Sequence, residues 1–248
     1  MVGGRSFPEA VKAAGETEGL AVGLHLVAVK GWSVLPPDRI PQLVNRQGRF
    51  GVSPFRTGLV YFCSKRCRRG LDLELRAQFE RFLSTGLPMS HVDSHLHFHL
   101  HPVIFRLAVN LCKEYGVRRM RVPEDDPDLL AGFKGGIRLP EKLMSRLFHL
   151  FVRRMKAELR DEGFVYPKRV FGNLMTGRME RDYVLYLLDH LSEGDYEVYF
   201  HPDESSEDSA PAMQRKRELE ILLDPAVKSR IEERGIELIH YGHLSRVT

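Results

Sequence analysis

Short apolar runs alternate along this chain with longer stretches of helical periodicity, and the two patterns predict buried strands and amphipathic helices. The predicted strands are 20–26, 91–95, 117–122, 170–172, 197–202 and 236–239. The first predicted helix carries Leu71, Leu75, Phe79 and Phe82 and stops at Gly86. The other predicted helices are 102–116, 140–159, 183–191 and 215–233, and a loop is predicted at 125–136. Strands and helices in this order are typical of βα units around a mostly parallel sheet.

The organisation of the chain indicates one domain. Its 248 residues contain no internal repeat, low-complexity segment or linker, so we expect a single domain over 1–248. Apolar residues make up 43% and charged residues 28%, as in an ordinary globular protein. No apolar run approaches the roughly 18 residues of a membrane-spanning helix, and no secretory signal opens the sequence. Three cysteines argue against a disulfide framework and favour the cytoplasm.

The positive charge of the chain is modest. The net charge is +4, and the basic residues cluster at 65–69 and 153–156. Neither cluster belongs to a recognisable nucleic-acid module, and Cys63 and Cys67 have no partner pair at zinc-site spacing. We therefore expect no nucleic-acid partner and interpret the clusters as solvated faces.

Five of the eleven histidines lie within one stretch of eleven residues, which is the strongest chemical signal in the sequence. If the chain stays extended there, alternation places His91, Asp93, His95, His97, His99 and His101 on one face. Neutral imidazole is the commonest nitrogen ligand for divalent ions, so this face predicts a metal or active site.

A second strand is needed to complete such a site. Alternate residues of a strand lie roughly 6.6 Å apart, too far for several to reach one ion. One or two histidines should therefore bind the metal while others orient them or contact substrate. His25, the lone polar group of an apolar strand, is the best additional ligand. A hydrogen-bonded core histidine is the alternative interpretation of His25.

These residues resemble a known family. The segments 91–102, 22–26 and 200–202 are similar to the YdjC-type carbohydrate deacetylases, which include the chitooligosaccharide deacetylases. The segments 34–37, 47–50, 170–172 and 176–179 resemble more closely the hopanoid-biosynthesis branch called HpnK. The resemblance runs over nearly the whole chain.

The resemblance implies a metal-dependent hydrolase on an irregular (β/α) barrel of the deacetylase and glycosidase type. It implies removal of acetate from an N-acetylated amino sugar, with an N-acetylglucosaminyl hopanoid as the expected substrate and chitooligosaccharides as the alternative. The implied metal ligands are His25 and His95, holding magnesium or zinc. The implied general acid is His201, and the implied substrate-binding residues are His97, His99 and Arg178.

The sequence departs from the family at its beginning. Members of the family begin with a strand ending in Asp-Asp-Phe-Gly, whose aspartates supply a metal ligand and the catalytic base. This chain instead opens on Met1 and a helix at 7–14, so we expect that a first βαβ unit of roughly 30 residues is missing. A misassigned start and a shortened gene are competing explanations. Under the first, the 248-residue form should bind metal weakly and turn over slowly. Asp93 is the one nearby acid that could replace the base, although orienting a ligand is the commoner role.

Two further features leave alternatives open. The helix at 140–159 is apolar on one side and basic on the other, which predicts either peripheral contact with the inner membrane or a packing helix with a solvated basic face. A homodimer is a further expectation.

Besides the deacetylase, a metal phosphoesterase and a non-catalytic sugar- or metal-binding remnant are the alternative functions, although no phosphate-cradling glycine loop supports the phosphoesterase.

Overall fold

A computed structural model of the chain describes residues 1–133, 139–204 and 209–244. The described residues group into two compact units. The first comprises Met1–Arg121 and Leu159–Tyr166 with a short segment that begins at His240, and the second comprises Val122–Glu158 and Pro167–Ile239.

The first unit is built around two parallel strands. Its elements are α1 (Phe7–Glu16), β1 (Val22–Leu26), α2 (Pro54–Cys63), α3 (Lys65–Leu83), β2 (Met89–Ser94), a 3₁₀ segment (His95–Leu100) and α4 (Pro102–Glu114). β1 pairs with β2 in parallel. Arg119 and Met120 continue the pairing, because the Val92 amide donates to the Arg119 carbonyl and the Met120 amide donates to the Val165 carbonyl.

Local sequence signals set the ends of the helices in this unit. The Ser64 hydroxyl accepts a hydrogen bond from the Cys67 amide at 3.2 Å, so one residue ends α2 and caps α3. Leu71, Leu75 and Phe79 of α3 are wholly buried. Burial of each such side chain stabilises the fold by about 1.5–3 kcal/mol, which fixes α3 against the strands that carry the histidines.

The second unit contains the remaining elements. These are α5 (Pro127–Ala131), α6 (Leu139–Asp161), β3 (Arg169–Phe171), α7 (Arg181–His190), β4 (Tyr196–Val198), α8 (Ala210–Leu223) and α9 (Pro225–Glu233). β3 and β4 are parallel. Phe171, Tyr183, Leu187 and Ile221 are among the buried residues of its core.

Most predicted elements are confirmed, and one helix is divided. The predicted strands 20–26 and 170–172 and the predicted helices 102–116, 140–159 and 183–191 are present with shifted ends. The predicted helix 215–233 is two helices, because Pro225 has no amide hydrogen to donate. The Asp224 carboxylate accepts a hydrogen bond from the Ala226 amide at 2.8 Å and so caps α9.

Several predictions of extended structure were wrong. The described residues 236–239 form no strand, and Leu238 is 79% exposed, so this apolar run packs against no sheet. Residues 117–122 contribute isolated bridge positions instead of a full strand, and the predicted strand 197–202 is present only as β4. The predicted loop contains α5, because the Asp126 carboxylate accepts hydrogen bonds from the Asp128 and Leu129 amides.

The mixed α/β class is confirmed and the barrel is not. Among the described residues the strands form two separate two-stranded sheets, and no closed sheet is present. The single domain over 1–248 stays a prediction. None of the helices in the described part of the chain is both long and apolar enough to cross a membrane.

Candidate functional site

The parallel pairing of β1 and β2 brings His25 and Asp93 side by side. These two residues are direct partners in the register of the sheet. His25 Nδ1 lies 2.8 Å from Asp93 Oδ1. The Asp93 side chain is 5% exposed and the His25 side chain 30% exposed, so the carboxylate is buried while the imidazole reaches solvent.

Arg121 completes this arrangement from the end of the neighbouring segment. Its Nη1 donates a hydrogen bond to Asp93 Oδ2. Burial alone would raise the pKa of Asp93, but the hydrogen bond from His25 and the positive charge of Arg121 hold that pKa well below its usual range. Asp93 is therefore a carboxylate that only accepts hydrogen bonds, and His25 Nδ1 donates to it.

The chain turns sharply after Ser94, so the prediction of one extended histidine face was wrong. The residues after β2 form a 3₁₀ segment in which Leu96 and His97 have left-handed φ values of 54° and 52°. The Ser94 hydroxyl accepts a hydrogen bond from the His99 amide at 2.6 Å and so stabilises the turn. Alternation of side chains requires an extended backbone, and it ends at this point.

His99 is a wholly buried member of this segment. Its Nε2 lies 2.8 Å from the Arg121 carbonyl, which can only accept, so Nε2 carries the hydrogen. Its Nδ1 then accepts from the Ser94 hydroxyl at 2.7 Å. Burial lowers the pKa of His99 to about 4, in agreement with this neutral form. His99 thus connects the turn to the backbone of Arg121.

His95 and His97 lie at the beginning of the same turn. The His95 ring is nearly perpendicular to the His25 ring, with centroids 5.9 Å apart. The His97 ring lies 6.3 Å from that of His99. Burial lowers the pKa of His97 to about 3, so this imidazole is neutral at physiological pH. The structure therefore brings His25, His95, His97 and His99 together with Asp93.

Two histidines of the predicted face have other surroundings. The His91 ring stacks on Tyr241, with centroids 3.8 Å apart, and its Nδ1 lies 2.8 Å from the Ser90 hydroxyl. The His101 ring lies 5.8 Å from Phe98. Both rings pack against aromatic side chains, and His91 is still near enough to Asp93 to help lower its pKa.

A cavity of about 340 Å³ borders this site. His25 lies on its wall, together with Gly23 of β1 and Phe7 and Ala10 of α1. A small molecule in this cavity would lie next to His25 and to apolar surface.

The donor chemistry of the site fits a divalent metal ion. Because His25 donates its Nδ1 hydrogen to a buried carboxylate, its Nε2 lone pair remains for a ligand bond, and this is the orientation that metal-binding histidines commonly have. His95 provides a second imidazole. Within the described ranges, no three His, Cys, Asp or Glu residues group closely enough to hold an ion by themselves.

Two predicted site residues belong to the second unit. His201 is exposed; its amide donates to Glu218 Oε2 at 2.5 Å and its Nδ1 lies 3.9 Å from the same oxygen. Arg178 donates from Nη2 to the Leu174 carbonyl at 2.9 Å and is otherwise exposed.

Sequence reasoning did not identify Arg121 as a member of the site. The available signal was a basic residue near the end of a predicted apolar strand, next to the histidine-rich strand. Its contact with Asp93 depends on the pairing of Val92 with the neighbouring segment, which the sequence does not specify.

Comparison with known proteins gives consistent matches over most of the chain. The family model described as YdjC-like protein matches residues 1–233. A carbohydrate deacetylase from Brevibacillus brevis is 31% identical over 98% of this chain and 86% of that protein. A carbohydrate deacetylase from Geobacillus stearothermophilus is 30% identical, covering 90% and 75% of the two chains. A chitooligosaccharide deacetylase from Escherichia fergusonii is 28% identical, covering 97% and 84%.

A solved structure shares the fold. The crystal structure of an Enterococcus faecalis protein described as acting in cellobiose-phosphate cleavage superposes with a TM-score of 0.73. The match covers 98% of this chain and 85% of that chain at 24% sequence identity. This likeness concerns the fold alone.

Proposed function

The chain belongs to the YdjC-like protein family, and from this premise we propose that it is a metal-dependent carbohydrate N-deacetylase. It would hydrolyse the amide bond of an N-acetylated amino sugar to acetate and a free amine. The similarity to carbohydrate and chitooligosaccharide deacetylases supports the reaction class.

The observation that carries the proposal is the His25–Asp93–Arg121 arrangement beside His95. The buried carboxylate holds the hydrogen of His25 on Nδ1 and leaves Nε2 for a ligand. His25 and His95 would hold the divalent ion, magnesium or zinc. Such an ion supplies a Lewis acid for the amide oxygen and lowers the pKa of bound water.

Other residues of the chain would orient the metal ligand, bind the substrate and donate a proton. Asp93 orients His25, and the hydrogen bond from His25 together with the charge of Arg121 keeps Asp93 ionised. His97 and Arg178 are the proposed substrate-contacting residues. His99, also predicted as one, is wholly buried with both ring nitrogens hydrogen-bonded, so it supports the turn that positions His97. His201 is the proposed proton donor to the leaving amine nitrogen, because an amine departs readily only when it is protonated.

Two substrate classes follow from the resemblances. A glucosaminyl hopanoid, an amino sugar on an apolar polycycle, is the first, and the similarity of segments 34–37 and 176–179 to the HpnK branch supports it. Chitooligosaccharides are the second, and the Escherichia fergusonii relative favours them. Acetate release from each class at equal concentration would separate the two.

The test of the function is acetate release by metal-free protein to which magnesium or zinc is added back. Because this form is expected to bind metal weakly, we expect slow turnover that requires saturating added metal, and a further loss of at least about 100-fold in H25A and H95A. H190A is the matched control, because His190 is an exposed histidine of α7. Full activity in metal-free protein, or in both site variants, would contradict the proposal.

Peripheral membrane contact through 140–159, a homodimer and a cytoplasmic location stay predictions. Side chains 139–148 and 150 lie outside the described residues. In the remainder of the helix, Val152, Met155 and Leu159 are buried, and Lys156 donates to Glu124 Oε2 at 2.5 Å. These contacts favour packing for this half, with Arg153 and Arg154 as its solvated basic face.

A further inference from the structure

Helix α2 exposes an unusual row of large apolar side chains. Phe55 is 81% exposed, Leu59 56% and Phe62 60%. Their spacing of four and three residues places them on one face of the helix. We call these three residues, with the 74% exposed Val52 just before the helix, the α2 apolar face. Contiguous apolar patches of this kind mark interaction surfaces on soluble proteins.

The opposite side of the same helix is firmly packed. Tyr61 is 2% exposed, and its hydroxyl donates to the Ala28 carbonyl at 2.8 Å. Gly58 is also buried. A Cβ there would lie 3.3 Å from the His101 ring. Because α2 already has a complete inner face, its outer apolar face does not serve the core of the first unit.

The charged residues of α2 and of the first turn of α3 are all basic. Residues 39–71 contain eight Arg and Lys residues and no Asp or Glu. Arg56, Lys65, Arg66 and Arg69 are exposed. None of these four forms an ion pair with any other residue in the described ranges, so their charges are open to an external anion.

We propose that the α2 apolar face docks on the surface of a lipid bilayer that contains anionic lipids. Phenylalanine and leucine side chains flanked by arginine and lysine are typical of helices that lie in the membrane interface. Each basic residue near an anionic surface adds about 1 kcal/mol of attraction. Apolar contact area and uniformly positive charge both match this partner. The proposal does not depend on the deacetylase activity.

The place of α2 in the first unit gives this docking a consequence for the site. The Phe62 ring lies 6.5 Å from that of His101, and the Tyr61 ring lies 6.1 Å from that of Phe98. A bilayer against the outer face of α2 would therefore be separated from the 3₁₀ segment that carries His95 and His97 by one helix, about 10 Å. A substrate held at the membrane surface would have to cross this distance to reach these histidines.

The test is flotation of the full chain with vesicles of phosphatidylcholine alone and of phosphatidylcholine with phosphatidylglycerol. We expect binding to the anionic vesicles and little to the neutral ones. F55Q/L59Q should lower the partition coefficient at least about tenfold, because two exposed apolar contacts are removed. Phe62 is left in place because of its contact with His101.

A second variant tests the charge. R66Q/R69Q should lower binding to anionic vesicles about tenfold, and 0.5 M salt should weaken the wild type in the same direction. K216Q/R217Q removes two exposed cations from α8 and is the matched control for charge. L223Q/L238Q removes two side chains that are 73% and 79% exposed elsewhere and is the matched control for apolar area.

We expect both α2-region variants to lose binding to anionic vesicles and both controls to bind as the wild type does. Circular dichroism should show that all of the proteins are folded. Absence of wild-type binding to anionic vesicles would overturn the proposal, as would equal loss in R66Q/R69Q and K216Q/R217Q. A dimer in sedimentation that F55Q/L59Q dissociates, without vesicle binding, would also overturn it and assign the face to a second copy of this chain.

Discussion

Asp93 connects two side chains that are far apart in the sequence. It accepts hydrogen bonds from His25 on the neighbouring strand and from Arg121 at the end of the next segment. An aspartate in this position can orient the metal-binding imidazole or act as the catalytic base, and the two roles differ in what its replacement changes.

The variant D93N distinguishes these roles. We expect zinc affinity to fall about 10–100-fold, because His25 loses the partner that fixes its orientation, and activity to recover at saturating metal. Isothermal titration and acetate release measure the two effects. Unchanged zinc affinity with activity lost at saturating metal would identify Asp93 as the base.

Asp125 is a buried acid of a different kind. It is 8% exposed, and it accepts hydrogen bonds from the Gly172 amide at 3.1 Å and the Leu174 amide at 2.9 Å. Burial nevertheless raises its pKa to about 6. The folded state therefore binds a proton more tightly than the unfolded chain, where the pKa of aspartate is about 3.9.

This shift predicts a pH dependence of stability. The contribution of protonated Asp125 is fully present below about pH 4 and is lost as the pH rises through about 6. Relative to D125N, the wild type should lose on the order of 2–3 kcal/mol of unfolding free energy between pH 4 and pH 7. Urea denaturation of both proteins at the two pH values measures it. A constant difference between them would contradict the prediction.

At the scale of elements, α3 holds the end of β1 in place through a buried polar pair. The Gln78 side chain accepts from the Val27 amide at 2.9 Å and donates to the Val27 carbonyl at 2.7 Å. It also donates to Glu74, whose oxygens accept from the Val34 and Leu35 amides. The segment just after His25 is thus fixed by side chains that replace a neighbouring strand.

Replacement of Gln78 should lower the unfolding free energy of the protein. Q78M keeps the volume and leaves the buried Val27 amide and carbonyl without their partner, so we expect a loss of about 2–4 kcal/mol in unfolding free energy. Q47M, at an exposed glutamine, is the control and should stay within about 0.5 kcal/mol. Chemical denaturation followed by circular dichroism measures both. Equal stability of the two variants would show that the pair does not hold β1.

At the scale of the whole molecule, a metal that binds only the folded chain must raise its stability. At a free concentration one hundred times the dissociation constant, the gain is about 2.7 kcal/mol. We expect zinc or magnesium to raise the melting temperature of the wild type and of H190A, and to leave H25A and H95A unchanged. An equal rise in all four proteins would place the binding elsewhere on the chain.

Much of the fold and part of the site could be predicted from local pattern. The periodicity of Leu71, Leu75 and Phe79 identified α3, because side chains buried on one face of a helix recur at the helical period. The apolar run around His25 identified β1. The run 236–239 has the same apolar character and forms no strand, because a strand also needs a neighbour to pair with. Pro225 indicates in the sequence that the helical pattern over 215–233 is interrupted at Asp224. The longer helical pattern was nevertheless interpreted as one helix.

The sequence by itself determined that histidines, an aspartate and buried strands occur together, since residue type and spacing are local properties. Only the tertiary structure decided that His25 faces Asp93, that Arg121 joins them, and that the chain turns at Leu96 so that the histidines do not share one face. Strand register and a left-handed turn depend on hydrogen bonds between residues far apart or on opposite sides of a turn. The exposure of Phe55 and Leu59 was likewise decided by which face of α2 packs inward.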